Sequence, residues 1–117
     1  MGWVKNRDTV TDWGEILMGA QLPRGIQPSD IDGIVEINNH FLVMERKRAN
    51  EKTKDGQRYL LEALARQPGF TVLEVVHGED GVEEVYNYGT DEREATNPGD
   101  FTARVESWAE KADTSPN

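Results

Sequence analysis

Pro28-Ser29-Asp30-Ile31-Asp32-Gly33-Ile34-Val35-Glu36-Ile37, then Asn38-Asn39, then His40-Phe41-Leu42-Val43-Met44-Glu45-Arg46-Lys47, reads as two strands joined by a two-residue turn. Both flanks are rich in Ile, Val, Leu and Phe. Asn is among the few residues that tolerate the positive φ required at both central positions of a type I′ hairpin turn. That turn sets the register. Ile37 faces His40, so Asp32 falls opposite Glu45, Asp30 falls opposite Lys47, and all four side chains share one face.

Two carboxylates set directly across an antiparallel pair, with Cβ atoms roughly 5 Å apart, repel each other. Ile34 and Val43 share their face, and an apolar pair beside them implies partial burial, where uncompensated charge is costly. A divalent cation is the natural compensation, because Mg²⁺ is commonly held by one or two carboxylates together with water and phosphate oxygens. Lys47 follows Glu45 by two residues on the same face, where it can neutralise a phosphate or orient a water. The plain alternative is an exposed polar hairpin face in which Lys47 merely pairs with Asp30.

Working outward, Val10, Trp13, Ile16, Leu17 and Ala20 recur at helical spacing, and Thr9 with Asp12 resembles a capping box, which predicts a first helix from Thr9 to Gly19. No strand is expected between it and Asp30, unless residues 21–27 supply a short edge strand around Pro23. The second hairpin face presents Ile31, Val35, Ile37, Leu42 and Met44 for packing on helices, with Gly33 at a possible bulge. A second helix is expected over residues 55–67, with Tyr59, Leu60, Ala63 and Leu64 on its core side and Pro68-Gly69 as its stop. Residues 70–77 read as a buried strand, Gly78 to Gly81 as a turn, and residues 82–88 as an alternating partner strand.

Residues 90–99 read as a polar loop. Asp100 is the expected N-cap of a last helix carrying Phe101, Val105, Trp108 and Ala112 on one stripe. The expectation is an α/β (α+β) chain with a central mixed sheet, in the order α-β-β-α-β-β-α. Residues 1–113 form one domain, and 114–117 a frayed tail. Trp13 and Trp108 suit packing, while Trp3 is equally suited to stacking on a base.

The 117 residues contain no cysteine, which excludes disulfides and thiolate-ligated zinc and fits a reducing cytoplasm. No apolar run approaches the ~20 residues of a membrane span, and the first residues lack a signal-peptide core. Neither GxGxxG nor GxxxxGK[ST] occurs, so a nucleotide cofactor is not expected, and nothing supports a Ser or Cys nucleophile. The net charge of -9 is unevenly spread: residues 43–66 carry seven basic and four acidic groups, residues 67–117 three and twelve. Arg46, Arg48, Lys52, Lys54 and Arg58, with Arg24 upstream, are the candidate phosphate contacts.

The aspartate at the start of one strand and the Glu45-Arg46-Lys47 run closing the next resemble the signature of the PD-(D/E)XK, or restriction-endonuclease-like, nuclease superfamily. Asp32 matches the aspartate, with Asp30 second, and the resemblance covers residues 26–76. It implies that Asp32, Glu45 and the main-chain carbonyl of Arg46 bind Mg²⁺ or Mn²⁺ and that Lys47 assists an attacking water. It also brings in Glu15 of the first helix and Gln57 as further candidates. The superfamily core is usually α-β-β-β-α-β, one strand more before the central helix than is read here.

The function implied is hydrolysis of phosphodiesters in DNA by a small magnesium-dependent deoxyribonuclease. A homodimer acting on branched or double-stranded DNA is consistent with the size, as in junction resolvases and stand-alone phage nucleases, working in the cytoplasm. The rival expectation is a non-enzymatic acidic protein on a similar fold that engages a basic partner or mimics DNA.

Overall fold

The computed structural model describes Met18, residues 20–25 and residues 28–116. The chain divides into two units, residues 1–30 and 31–117. In the first, Pro23–Gly25 is a 3₁₀ turn with exposed Arg24 at a φ of 59°. A fixed proline φ followed by a left-handed residue cannot continue an extended run, so the edge strand expected around Pro23 does not form there. The expected first helix, with Trp13 and Glu15, and Trp3 before it lie outside the described residues. Met18, which that helix would have included, is in a turn at a φ of 54°.

The second unit runs β1 (Gly33–Ile37), β2 (His40–Arg48), α1 (Asp55–Ala65), β3 (Phe70–Gly78), β4 (Gly81–Asn87), β5 (Glu92–Ala95) and α2 (Pro98–Thr114). The five strands lie in sequence order, with β2 and β3 parallel and every other neighbouring pair antiparallel. The described residues therefore form an α+β fold with a five-stranded mixed sheet and two helices. β3 is central, paired on both edges, and its Val72, Leu73, Val75 and Val76 are all buried. Burial on both faces is why it reads as a nearly continuous apolar run rather than an alternation.

Alternation along β2 distributes the core between two faces. Leu42 joins Leu73, Val75 and Val85 in one cluster, against which Phe101, Val105 and Trp108 of α2 pack. Val43 and Val72 meet Leu61 on the opposite face, with Leu64 and Ala65 of α1 beside them. Complete burial of a Leu or Val side chain stabilises by about 1.5–3 kcal/mol, so these few residues dominate the apolar driving force.

The helical stripe on α1 is rotated from expectation. Leu61 is fully buried, whereas Tyr59 is 59% exposed and stands under the Arg58 guanidinium. Gln57, Leu61 and Leu64 fall at i, i+4 and i+7, and that row faces the sheet. The helix ends at Ala65, two residues before the expected Gln67, with the Arg66 N–H bonded to the Ala63 carbonyl and the Gln67 N–H to the Leu64 carbonyl. Gly69, at a φ of 82°, then reverses the chain into β3. A Cβ there would lie 3.0 Å from the Asn39 carbonyl oxygen, so this position requires glycine for space as well as for φ.

Four other departures are local. Residues 92–95 form an edge strand instead of part of a loop, held by the β4 ladder and the Arg93–Glu84 ion pair; all four residues are exposed, so no apolar alternation marks them. The N-cap of α2 is Asn97, whose side-chain oxygen accepts the Asp100 N–H at 2.9 Å, and Pro98 occupies the first turn. Asp100, three residues inside, also accepts from the Asn97 side-chain amide at 3.0 Å and places an acid in the first turn. The irregularity in the sheet lies between Val76 and His77, and β1 pairs with β2 without a bulge at Gly33. Ile31 and Val35 stay 39% and 36% exposed, because the α2 cluster is built on β2, β3 and β4 rather than on the edge strand.

Asn38 and Asn39 adopt φ values of 54° and 66°, as a type I′ turn requires, and the ladder from Ile37–His40 to Gly33–Met44 follows the expected register. The turn also caps α2: Asn38 Nδ2 donates to the carbonyls of Ala112 at 3.1 Å and Ser115 at 2.6 Å. Thr114 is the last residue of α2, and the Ser115 carbonyl after it is held by the hairpin turn. Replacing Asn38 tests both roles. Asn38→Ala should lose about 2 kcal/mol in chemical denaturation, through the strained φ and the lost bonds together, and Asn38→Gly about half of that, since glycine accepts the turn.

Candidate functional site

β2 and β3 run parallel and are joined through α1, so their carboxyl ends and the start of α1 open on the same side. In open sheets with parallel strands, crevices outside the carboxyl ends are the usual ligand sites. A cleft of about 210 Å³ lies here, lined by Glu45, Arg46, Lys47, Glu51, Lys52, Thr53, Lys54, Gln57 and Glu74. Two sequence-predicted residues, Glu45 and Lys47, therefore share one cavity with the secondary candidate Gln57. Gln57 Nε2 donates a hydrogen bond to Glu45 Oε2, which orients that carboxylate from the first turn of α1.

Asp32 reaches this region differently from the expectation. It precedes β1, so it does not pair with Glu45 as a ladder partner; its Oδ2 accepts the Arg46 backbone N–H at 2.8 Å. The cause is twofold: two carboxylates held face to face repel, and the end of the ladder leaves an N–H that needs an acceptor. The Asp32 carboxylate consequently sits against the Glu45-Arg46 peptide. Lys47 turns toward β3 and pairs with Glu74 at 3.5 Å. Asp30 and Arg24 belong to the first unit, and Glu15 lies outside the described residues. Among the described residues, no three His, Cys, Asp or Glu side chains converge as a metal-holding group.

Glu74 is the component that the sequence reading missed. It is 2% exposed, in the middle of β3. Its Oε1 accepts from Thr53 Oγ1 at 2.7 Å and Tyr88 Oη at 3.1 Å; its Oε2 faces Lys47 Nζ at 3.5 Å and Arg93 Nη2 at 3.7 Å. Burial alone would raise its pKa, but the Thr53 hydrogen bond, the Lys47 charge and the Tyr88 hydrogen bond together hold it below the ordinary glutamate value. The Tyr88 phenol is pushed up by burial and by the adjacent Glu74 charge, so it remains a donor. A signal existed in the sequence: one acid inside the apolar run Phe70 to Val76 is a buried charge that demands partners.

Of the candidate phosphate contacts, Arg46, Arg48, Lys52 and Lys54 are exposed around the cleft or just beyond it. Arg58 is instead drawn to Asp55 at 3.5 Å and Glu62 at 3.9 Å on its own helix. The basic groups thus concentrate on the end of β2 and the loop that follows it.

A depressed glutamate pKa contributes stability that is present above the unfolded value and disappears as pH falls through the folded one. Glu74→Gln should therefore cost about 2 kcal/mol at pH 7, through lost charge-assisted hydrogen bonds, with the gap from wild type narrowing below about pH 4.3. Urea denaturation at pH 7, 5 and 3.5 measures it.

No family model matches the chain, and neither the curated proteins nor the solved structures include a match.

Proposed function

We propose that this chain is a metal-dependent nuclease of the restriction-endonuclease-like kind, hydrolysing phosphodiester bonds in DNA. The observation that carries the reading is the shared cleft of Glu45 and Lys47 at the carboxyl end of a parallel strand pair, with the Asp32 carboxylate bonded to the intervening Arg46 N–H. The β1-β2-α1-β3 segment follows the strand-strand-helix-strand part of the superfamily order. In an extended strand a residue's N–H and C=O leave on the same side, so the Arg46 carbonyl faces the side occupied by Asp32. Two carboxylates and a carbonyl are hard oxygen donors, and they suit Mg²⁺ or Mn²⁺.

Such an ion would supply Lewis acidity toward a phosphate. The protein's own groups do the rest. Asp32 and Glu45 provide negative charge at the strand end, Gln57 fixes the Glu45 carboxylate, and Lys47 offers a half-buried ammonium where charge develops on the phosphate oxygens. Arg46, Arg48, Lys52 and Lys54 form the approach path for the backbone of the nucleic acid. In a domain this small, a homodimer gives a second surface for gripping double-stranded or branched DNA.

A second reading is favoured by the exposed Glu79, Asp80, Glu83, Asp91, Glu92 and Glu94 along the β3–β4 turn and the β5 edge. It is a non-enzymatic acidic protein that engages a basic partner or mimics DNA. Metal titration and cleavage separate the two. Purified protein with Mg²⁺ or Mn²⁺ and labelled linear, nicked or four-way DNA should give cleavage that falls more than about a hundredfold in Asp32→Ala and in Glu45→Ala, and about tenfold to a hundredfold in Gln57→Ala. Calorimetry should detect Mn²⁺ binding that Asp32→Ala abolishes. Absence of both cleavage and metal binding favours the acidic binding protein.

A further inference from the structure

We infer that Glu74 is the positioning residue of this site, holding Lys47 and the basic loop after β2 in one arrangement. The inference rests on the nuclease reading for the role of Lys47. The anchoring itself stands on geometry alone. Glu74 adjoins Glu45 in the β2–β3 register, so its carboxylate lies one strand inward from the site on the same sheet face. Lys47 Nζ is held against one oxygen at 3.5 Å, while Thr53 Oγ1 donates to the other at 2.7 Å. Thr53 lies between Lys52 and Lys54 and two residues before α1, the helix that carries Gln57 to Glu45.

A lysine side chain has four rotatable bonds and loses much rotamer freedom when ordered. A buried carboxylate at the end of its reach removes that freedom before substrate arrives. Glu74 is itself immobilised from behind by Tyr88 at 3.1 Å and Arg93 at 3.7 Å, so the anchor does not depend on solvent-exposed groups alone. Preorganisation of this kind lowers the barrier without adding a contact to the substrate. Glu74 touches neither substrate nor metal in this account; it acts on the reaction through Lys47, while Thr53 ties the following loop to the same carboxylate.

The test is a double-mutant cycle with two readouts that do not depend on cleavage. Glu74→Gln should lower kcat about tenfold to a hundredfold with KM within about twofold of wild type, yet lower it less than about twofold further in Lys47→Ala, because the residue acts through that lysine. Rates are taken at a temperature where circular dichroism shows every variant folded, with Glu74→Asp replacing Glu74→Gln if the latter is unfolded there. In metal-free protein labelled with ¹⁵N at its five lysines, the side-chain ammonium resonance of Lys47, assigned by its loss in Lys47→Ala, should shift in the Glu74 variant. DNA affinity in EDTA should weaken less than about threefold.

Independent, multiplicative losses in the cycle, or a Lys47 resonance unmoved by the Glu74 substitution, overturn the inference. A shifted resonance in a protein that cleaves nothing leaves the anchor intact and overturns the nuclease reading and the catalytic role drawn from it.

Discussion

Two consecutive left-handed residues, Asn38 and Asn39, set the geometry on which the site and part of the core depend. A side-chain period of two means that a slip of one residue would exchange the faces of β1 relative to β2. The type I′ turn prevents that slip, since its φ values match the strand twist and few residue pairs adopt them. From this one constraint follow the Gly33–Met44 end of the ladder and the placement of Asp32 beside the Arg46 N–H. The same asparagine side chain meets the carboxyl end of α2, so the turn that registers the hairpin also fixes a helix on the opposite end of the chain.

The burial of Glu74 is the second constraint, and it explains why the polar end of the sheet is ordered at all. A carboxylate in a dry interior is tolerated only when hydrogen bonds and opposite charges replace its water. Here the replacements come from β2, the loop before α1, the turn after β4, and β5. Each donor belongs to a different segment, so one carboxylate ties all four together. Tyr86 and Arg93 extend the arrangement outward: the guanidinium lies 4.8 Å from the Tyr86 ring centroid and also pairs with Glu84.

The hairpin, the buried third strand and the stripe of the last helix were legible in the sequence because each is written in local chemistry. Asn-Asn marks the turn, uninterrupted apolar residues mark β3, and Phe101, Val105, Trp108 and Ala112 mark α2. What escaped depends on tertiary partners. Edge strand β5 has no buried side chain, so its only signature is a ladder with β4. Tyr59 looked like core because it is aromatic and sits in an amphipathic stretch, but Gln57 and Leu61 choose the face. Glu45 and Lys47 meeting in one cleft was readable from spacing, whereas Lys47 turning to Glu74 was not, since parallel pairing of β2 with β3 brings Glu74 there.

The acidic balance of the chain bears on the same site through distance rather than through totals. Charges interact in water over about 10 Å at 0.1 M salt, so a net charge of -9 says little about the potential at any one crevice. Arg46, Arg48, Lys52 and Lys54 are consecutive or nearly so on the end of β2 and its loop, and Glu51 is the only acid among residues 46–54, its carboxylate taken up by the Arg48 N–H at 3.0 Å. Most of the acids after Gln67 fall on the β3–β4 turn, β4, β5 and α2. Arg93 and Arg104 neutralise part of that group through Glu84 and Glu94, which limits its reach. The sheet thereby separates the two signs: the cationic margin follows the strand that bears Glu45 and Lys47, and most of the acids lie on the elements that come after β3.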